Sequence, residues 1–443
     1  MEKSQLRVGA AEVHGVIGRH MQAEGLDLVV DFEKSRGVHL YDSKRGEFFL
    51  DLFSFFATLP LGFNYPRMTS RETVEELGRV AVHKPSNSDV YSREMAEFVE
   101  AFARLAKPDF MRYMFFVEGG AVAVENALKT AFDWKVRKNL ASGSQQEKGF
   151  KVIHFHQAFH GRSGYTLSLT NTADPRKIQY FPKFNWPRIL NPKCIFPLES
   201  ENLARVQRLE EEAVSQIRAV IEEDPADVAC LILEPIQGEG GDNHFRPEFH
   251  QRLRQICDEH EILFIYDEVQ TGFGATGRMW AYEYYARPDI LCFGKKSQVC
   301  GILVSSRVDE APDNVFHVPS RINSTWGGNL VDMVRCRICL DIYREDKLVE
   351  NSCQVGEVLL SALQDLQDEF SSLVSNVRGK GLFCAFDLPD TDFRNRFRKS
   401  LFDRRLVILP CGERSIRFRP ALTIGPEEIY QGVDIMRQTL KQI

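Results

Sequence analysis

An acidic pair and a lysine each follow a short apolar segment of this chain directly. Asp267 and Glu268 come after Leu263-Phe264-Ile265-Tyr266, and Lys295 closes the run Phe293-Gly294-Lys295. If both segments are strands of a parallel sheet, their carboxyl ends meet at one edge, which is where α/β proteins bind their ligands. A buried carboxylate is costly without a cation or polar partner. The pattern therefore predicts a site in which Asp267 and Lys295 converge.

The chemistry of such a pair is that of a heterocyclic aldehyde cofactor. A lysine amine forms a Schiff base with the aldehyde of pyridoxal phosphate, and a carboxylate keeps the ring nitrogen protonated so that the ring absorbs electrons. Gln270 is a further candidate, as a donor to the ring oxygen. Lys296 follows Lys295 directly. Because alternate strand residues point to opposite faces, we expect only one of these two lysines to face the cofactor.

A glycine pair marks a turn from a strand into a helix. In Phe116-Val117-Glu118-Gly119-Gly120-Ala121 the glycines allow close backbone approach, and the free N–H groups at a helix N-terminus hold anions. Viewed alone, such a turn is more commonly a simple connection between a strand and a helix. Together with Asp267 and Lys295, it favours a phosphate site at Gly120 and Ala121.

A second loop, Phe159-His160-Gly161-Arg162, places an aromatic ring beside a guanidinium. The ring could stack on the cofactor and Arg162 could hold a carboxylate through two hydrogen bonds; the alternative is an ordinary surface arginine. His154 and His156 lack a third ligand for a metal, so we interpret them as structural.

Two more charged residues lie where active-site residues gather. Glu239 lies in a glycine-rich loop after an apolar strand, and Arg417 lies in Ser415-Ile416-Arg417-Phe418. In isolation both would be assigned to solvent, but loops at strand ends commonly carry function.

Length and composition set limits on the class of protein. The 443 residues are enough for a large core and a second, smaller unit, and the net charge of −6 argues against a nucleic-acid binder. Ten cysteines scattered through apolar segments suggest reduced core residues and a cytoplasmic protein, and Cys336-Arg-Ile-Cys339 reads as two core-facing helix residues. The N-terminal residues from Glu2 lack the pattern of a signal peptide. No apolar run approaches the roughly 18 residues of a membrane span.

The hydrophobic pattern predicts an α/β protein with a mainly parallel sheet covered on both faces. Between about 70 and 330, apolar strands alternate with helices near 121–138, 200–222 and 247–259. Beyond 330 a long helix leads into a mixed unit with helices near 346–370 and 425–441. The predicted strands are Tyr113 to Val117, Val152 to Phe155, Val228 to Leu233, Ile262 to Tyr266, Ile290 to Phe293, Gly301 to Val304, Leu382 to Phe386, Val407 to Leu409 and Ile416 to Phe418.

These motifs together resemble the class III aminotransferases of the fold-type I pyridoxal phosphate enzymes. The residues that carry the resemblance occur in the family order and span nearly the whole chain: Gly119-Gly120-Ala121, Phe159-His160-Gly161-Arg162, Asp267-Glu268-Val269-Gln270-Thr271-Gly272, Gly294-Lys295 and Ser324-Thr325-Trp326-Gly327-Gly328-Asn329. The resemblance implies a sheet of the seven-stranded type in a large cofactor domain, 71–330. It also implies a smaller α+β domain built from 1–70 and 331–443.

The same resemblance implies a role for each residue. Lys295 would carry the cofactor and move the proton, Asp267 would pair with the ring nitrogen, and Gln270 would contact the ring oxygen. Phe159 would stack on the ring beside His160, Gly120 and Ala121 would bind the phosphate, and Thr325 would reach it from the other subunit of a homodimer. Among the family, the lysine-specific members are the most similar. They transfer the side-chain amine of L-lysine to 2-oxoglutarate, which yields 2-aminoadipate 6-semialdehyde and L-glutamate.

For those substrates, Arg162 would hold the α-carboxylate of lysine and Arg417 that of 2-oxoglutarate, with Asn323 as a further substrate contact. Glu239 would neutralise Arg417 while lysine is bound and then swing aside. Three features depart from the family pattern: Gly119 in place of a serine, Phe159 in place of a tyrosine, and the loop Gly62-Phe63-Asn64-Tyr65-Pro66, which lacks the histidine common there. Three alternatives stay open: an ω-aminotransferase for ornithine or 4-aminobutyrate, a pyridoxal phosphate decarboxylase or mutase, and a non-catalytic relative.

Overall fold

The computed structural model describes residues 8–443 and centres on a seven-stranded sheet. Glu2, at the start of the chain, lies outside the described residues. The strand Cys300–Ser305 runs in the opposite direction to the other six strands of this sheet, so the prediction of a mainly parallel sheet is confirmed. The strand order across the sheet is Met111–Val117, Cys300–Ser305, Ile290–Phe293, Leu263–Asp267, Val228–Leu233, Lys151–Phe155 and Arg188–Ile189.

The central strands are almost wholly apolar because helices cover both faces of the sheet. All six residues of Val228–Leu233 and all five of Leu263–Asp267 are buried, as expected for parallel strands enclosed on both sides. One covering helix, Gly120–Ala141, packs with small and apolar side chains such as Ala123 and Ala127, which are fully buried. The six strands predicted for this region are present with bounds shifted by at most two residues, and Arg188–Ile189 is a seventh that the sequence pattern did not indicate.

Two smaller sheets lie outside this large one. In the first, Glu47–Asp51 pairs antiparallel with His39–Asp42 and parallel with Leu406–Val407, so strands from both ends of the chain share one sheet. The second contains four strands in the order Ser375–Lys380, Phe383–Asp387, Ser415–Arg417 and Leu409–Cys411. The predicted single strand from 407 to 409 was wrong, because the chain changes sheets at Ile408. The domain boundaries near 70 and 330 stay predictions.

The helices match the apolar periodicity, with additions where the sequence pattern was weaker. The helix Arg93–Leu105 begins after Ser92, whose hydroxyl accepts a hydrogen bond from the Met95 backbone at 3.1 Å, an ordinary N-cap. The α-helices are Val13–Gly18, Arg71–Ala81, Arg93–Leu105, Gly120–Ala141, Gly164–Leu169, Ser200–Glu223, Pro247–Glu259, Leu330–Glu345, Leu348–Glu369, Thr391–Asp403 and Pro426–Leu440.

Ser54–Ala57 forms one further helical turn, and it is left-handed. All four residues have positive φ angles, from 40° at Ser54 to 70° at Ala57. A left-handed turn of L-residues costs roughly 1–2 kcal/mol per residue, so neighbouring contacts must hold it. Asp51 does so, because its carboxylate accepts from the backbone N–H groups of Phe53 and Ser54 at 2.9 and 2.8 Å.

The cysteines are free thiols, and most of them are buried. Cys336 and Cys339 face the core from the helix Leu330–Glu345, as predicted. Within residues 8–443, no helix combines the length and the apolar character that crossing a membrane requires.

Candidate active site

A cavity of about 570 Å³ opens at the carboxyl edge of the large sheet. Most of the cavity wall comes from the segments that follow five of the strands, those ending at Val117, Phe155, Leu233, Asp267 and Phe293. Parallel topology therefore brings together side chains that are far apart in the sequence. The lining residues are Thr58, Gly120, Ala121, Phe159, His160, Gly161, Arg162, Glu234, Asp267, Val269, Gln270, Thr271, Lys295, Gln298 and Cys300.

Lys295 enters the cavity from a strained turn. The strand Ile290–Phe293 ends two residues earlier, and Lys295 itself has φ 54°, with Gln298 at 66°. Non-glycine residues with positive φ are uncommon and concentrate at functional sites. Burial lowers the pKa of Lys295, and the Arg417 cation lowers it further, whereas Asp267 raises it. A lowered pKa increases the fraction of neutral amine, which is the nucleophilic form.

Lys296 points away from the cavity. Its Nζ is buried and donates to the Pro420 carbonyl at 3.2 Å, and burial lowers the pKa of Lys296 to about 7. The expectation that only one lysine lines the cavity holds, but the reason given for it was wrong. The two lysines lie in a 3₁₀ turn, Lys295–Ser297, rather than on an alternating strand.

Asp267 ends the neighbouring strand and is held in place from two sides. Its Oδ2 accepts from His160 Nδ1 at 2.8 Å, and its Oδ1 accepts from the Val269 backbone at 3.1 Å. Both Asp267 and His160 are buried. Since a buried carboxylate survives only with partners, this pair explains how Asp267 is kept under the cavity. It also gives His160 a positioning role.

Glu268, the other acidic residue of the motif, faces away from the cavity. Its carboxylate accepts from the backbone N–H groups of Ala281 and Tyr282 at 2.6 and 2.8 Å and from the Thr271 hydroxyl at 3.1 Å. It therefore fastens the turn Ala281–Tyr284 to the sheet.

The cavity has two apolar walls and one end formed by a helix N-terminus. Phe159 and Val269 both line it. Gly120 begins a helix of 22 residues, and Gly119 before it has φ 98°, a conformation that favours glycine over the serine common in the family. A Cβ added at Gly120 would lie 2.8 Å from Val269 Cγ1. Gly120 is thus the residue that lets the helix N-terminus approach the ring site closely.

The basic residues predicted to hold carboxylates occupy different depths. Arg162 is exposed at the mouth of the cavity. Arg417 is buried behind the cavity wall, and its Nη1 donates to Gln270 Oε1 at 3.1 Å. Gln270 also accepts from Arg419 Nε at 2.9 Å. The structure therefore places Gln270 between Arg417 and the cavity.

Glu239 does not contact Arg417 in this structure. Its carboxylate accepts from Lys177 Nζ at 2.6 Å and from the Thr172 hydroxyl at 3.0 Å. The sequence-based pairing of Glu239 with Arg417 refers to the lysine-bound state and stays a prediction. Lys177 and Thr172 were not recognised as partners because they precede Glu239 by more than 60 residues in a loop without a motif.

Asn323 and Thr325 lie outside this cavity, in an exposed loop. Asn323 Oδ1 accepts from the Ser324 backbone at 2.8 Å. The loop is fixed by Ser88, whose hydroxyl donates to the Ser324 carbonyl at 2.5 Å, and by Asn87, whose side-chain amide donates to the Gly328 carbonyl at 2.8 Å.

Several lining residues were not assigned a role from the sequence. Val269 lies two positions after Asp267, in the turn that follows the strand, so no strand periodicity marked it in the sequence. Glu234 lines the cavity and accepts from the backbone N–H groups of Phe159 and Gly238 at 2.9 and 3.0 Å. Burial raises the pKa of Glu234 to about 7.

Thr58 is the least predictable of these residues, since it follows the left-handed turn near the start of the chain. Its carbonyl accepts from the side-chain amide of Gln298 at 2.7 Å. That hydrogen bond joins the left-handed turn to the segment that carries Lys295.

The residues fit pyridoxal phosphate at every part of the molecule. Lys295 supplies an amine for the aldehyde, and Asp267, held by His160, suits a protonated ring nitrogen. Phe159 and Val269 supply apolar faces for the ring. The helix N-terminus at Gly120 suits the phosphate. The fold and the site together define a pyridoxal phosphate enzyme of fold type I.

Comparison with known proteins defines the class further. The model of the family described as "Aminotransferase class-III" matches residues 21–440, and the chain belongs to this family. The L-lysine-epsilon aminotransferase of Mycobacterium tuberculosis is 50% identical over 430 residues, which cover 97% of this chain and 95% of that protein. The human mitochondrial 4-aminobutyrate aminotransferase is 31% identical over 438 residues, covering 94% and 86%.

A solved structure agrees with these similarities. Lysine aminotransferase from M. tuberculosis, in the internal aldimine form, matches with a TM-score of 0.96 and 50% identity over 98% of this chain and 99% of that chain.

Proposed function

We propose that this protein is an L-lysine 6-aminotransferase, which transfers the ε-amino group of L-lysine to 2-oxoglutarate and releases 2-aminoadipate 6-semialdehyde and L-glutamate. The observation that carries the proposal is one cavity lined by Lys295, Asp267 and Arg162, with Arg417 behind Gln270. The 50% identity to an L-lysine-epsilon aminotransferase supports lysine as the amine donor.

The bound cofactor supplies an aldehyde that condenses with amines and a protonated ring that accepts an electron pair. Lys295 would hold the cofactor through its side-chain amine. Its lowered pKa would leave a neutral amine able to move a proton at the ε-carbon of lysine. Asp267, oriented by His160, would keep the ring nitrogen protonated.

Two carboxylate sites serve the two half-reactions. Arg162, exposed at the cavity mouth, holds the α-carboxylate of lysine so that the ε-amine reaches the cofactor that Lys295 would hold. Arg417 holds the α-carboxylate of 2-oxoglutarate, and Gln270 must yield part of its contact with Arg417 when the oxo acid enters. In the lysine half-reaction Glu239 neutralises Arg417, since a free cation there would favour the dicarboxylate.

The assembly that fits this site is a homodimer. Thr325 is exposed and lies outside the cavity of its own chain, which suits a residue that binds the phosphate of the neighbouring site. Asn323, two positions away, would contact substrate from the same loop. The cytoplasm is the compartment consistent with ten free thiols.

A single-turnover comparison of amine donors tests the proposal. The yellow holoenzyme is mixed with L-lysine, L-ornithine or 4-aminobutyrate at equal concentration, and loss of the visible cofactor band is followed by stopped flow. Lysine should react fastest and yield a semialdehyde that cyclises. A faster reaction with either other amine, or release of carbon dioxide, would contradict the assignment.

A further inference from the structure

Glu239 is held by a cation that is not part of the cavity. Lys177 lies at the end of the short turn Pro175–Lys177, and its Nζ donates to Glu239 Oε1 at 2.6 Å. The Thr172 hydroxyl donates to the same oxygen at 3.0 Å. The two charged side chains are 33% and 20% exposed, so solvent screens their attraction only in part.

The loop that carries Glu239 also touches the surroundings of Arg417. The Glu239 carbonyl accepts from the Gly412 backbone at 2.8 Å, in the hairpin whose second strand is Ser415–Arg417. On its other side, a Cβ added at Gly238 would lie 2.5 Å from Gln270 Oε1, the atom that receives Arg417 Nη1. Glu239 therefore lies within one loop of Arg417, yet its carboxylate points to Lys177.

Arg417 is consequently without a carboxylate partner. Within residues 8–443 no carboxylate oxygen lies within 4.0 Å of it, and its Nε is buried with no hydrogen-bond acceptor. A neutral amide, Gln270, is its side-chain contact toward the cavity. A buried guanidinium in this state is prepared for an incoming anion.

We propose that Lys177, aided by Thr172, is a positioning residue that holds Glu239 away from Arg417 and thereby sets which substrate the site favours. With Glu239 on Lys177, Arg417 is free for the dicarboxylate 2-oxoglutarate; with Glu239 on Arg417, the site accepts lysine. This rests on the proposed function, which assigns Arg417 and Glu239 to those substrates. Lys177 touches neither substrate and acts only through Glu239.

The two states predict opposite effects on the two substrates. Removing the Lys177 charge weakens the state in which Arg417 is free, so the apparent affinity for a dicarboxylate falls and that for lysine stays or rises. From the strength of a partly screened, charge-assisted pair, we expect the Lys177→Met variant to bind a dicarboxylate about three- to tenfold more weakly.

The first measurement is binding, independent of turnover. Calorimetric titration of the holoenzyme with glutarate, which has the chain length of 2-oxoglutarate and no reactive carbonyl, gives the dissociation constant directly. It should rise about three- to tenfold in Lys177→Met and return to the wild-type value in Lys177→Arg. Arg176→Met is the matched control, because Arg176 belongs to the same turn but pairs with Asp174; it should leave the constant unchanged.

The second measurement separates the half-reactions. Lys177→Met should slow the reaction of the pyridoxamine-loaded enzyme with 2-oxoglutarate and leave the reaction of the holoenzyme with lysine unchanged or faster. In the Glu239→Gln background the same substitution should change neither rate, since the carboxylate that Lys177 restrains is gone.

Three results would overturn the proposal: unchanged glutarate binding in Lys177→Met, equal slowing of both half-reactions, or an undiminished effect in Glu239→Gln. Thr172→Val provides a second, smaller perturbation of the same carboxylate if Lys177→Met is unstable. Failure of the proposed function is distinguishable from these results, because it would show as an unreactive lysine half-reaction in the wild-type holoenzyme. Glutarate binding would still report on Lys177.

Discussion

The two halves of the candidate site are built in different ways. We define the cofactor floor as Lys295, Asp267, His160, Phe159 and Val269. These residues follow the ends of sheet strands, and the Asp267 carboxylate already has its hydrogen-bond donors in place. We define the carboxylate side as Arg162, Glu239 and Arg417, which come from loops and a hairpin. Its acidic residue is paired outside the cavity. We infer that the floor is pre-organised and that the carboxylate side changes between half-reactions.

The largest effect should come from breaking the floor. Asp267→Ala removes the proposed partner of the cofactor's ring nitrogen and leaves His160 Nδ1 without its acceptor. We expect both half-reactions to slow by at least about a hundredfold, in proportion to one another, because the electron sink serves both. Stopped-flow rates with lysine and with 2-oxoglutarate check this. A variant that slowed only one half-reaction would show that the floor is not shared.

A smaller and selective effect should follow from changing the carboxylate side. Arg417→Met removes the proposed anchor for 2-oxoglutarate. We expect kcat/KM for that substrate to fall about ten- to hundredfold, which corresponds to the loss of one charge-assisted hydrogen-bonded pair. The lysine half-reaction should change far less. Arg414→Met is the matched control, because Arg414 lies in the same hairpin, is half exposed and contacts Asp387. If Arg417→Met slowed both half-reactions equally, the distinction between the two halves would fail.

The sequence predicted the floor far better than the carboxylate side. The end of a strand with a continuous apolar run can be located in the sequence, and Asp267 and Lys295 lie at or just after such ends. Topology then requires them to meet. The contact of Glu239 with Lys177 has no such signal, because it joins two loops whose relative position depends on the packing of the whole chain.

Backbone strain was also outside the reach of pattern analysis. The left-handed turn Ser54–Ala57 has no glycine, and its sequence, Ser-Phe-Phe-Ala, gives no sign of positive φ angles. Asp51 caps the turn through local hydrogen bonds to Phe53 and Ser54, whereas the hydrogen bond that the Thr58 carbonyl accepts from Gln298 is a tertiary contact. The same contact anchors the end of the turn that begins at Lys295.

The smallest effect should be on stability, and it concerns His250, which contacts the strand that carries Asp267. His250 Nδ1 is hydrogen bonded to the Tyr266 hydroxyl at 2.7 Å, and Tyr266 immediately precedes Asp267. Burial lowers the pKa of His250 to about 3, below its ordinary 6.5. The unfolded chain therefore binds this proton more readily, so His250 contributes stability above pH 6.5 that is lost as the pH falls toward 3.

The measurement is the free energy of unfolding between pH 5 and 7.5. We expect the wild-type value to fall on acidification, with up to about 1.4 kcal/mol per pH unit coming from His250. His250→Gln should be less stable at neutral pH but show a shallower decline. An identical slope in both proteins would mean that His250 does not titrate on unfolding in this range.

The most direct test of the central claim is chemical identification of the lysine that carries the cofactor. Reduction of the holoenzyme with borohydride fixes the cofactor on its lysine, and fragmentation of the peptide locates the added mass. We predict the mass on Lys295 and none on Lys296, whose amine faces the Pro420 carbonyl. Labelling of Lys296, or no labelling of either lysine, would contradict the account.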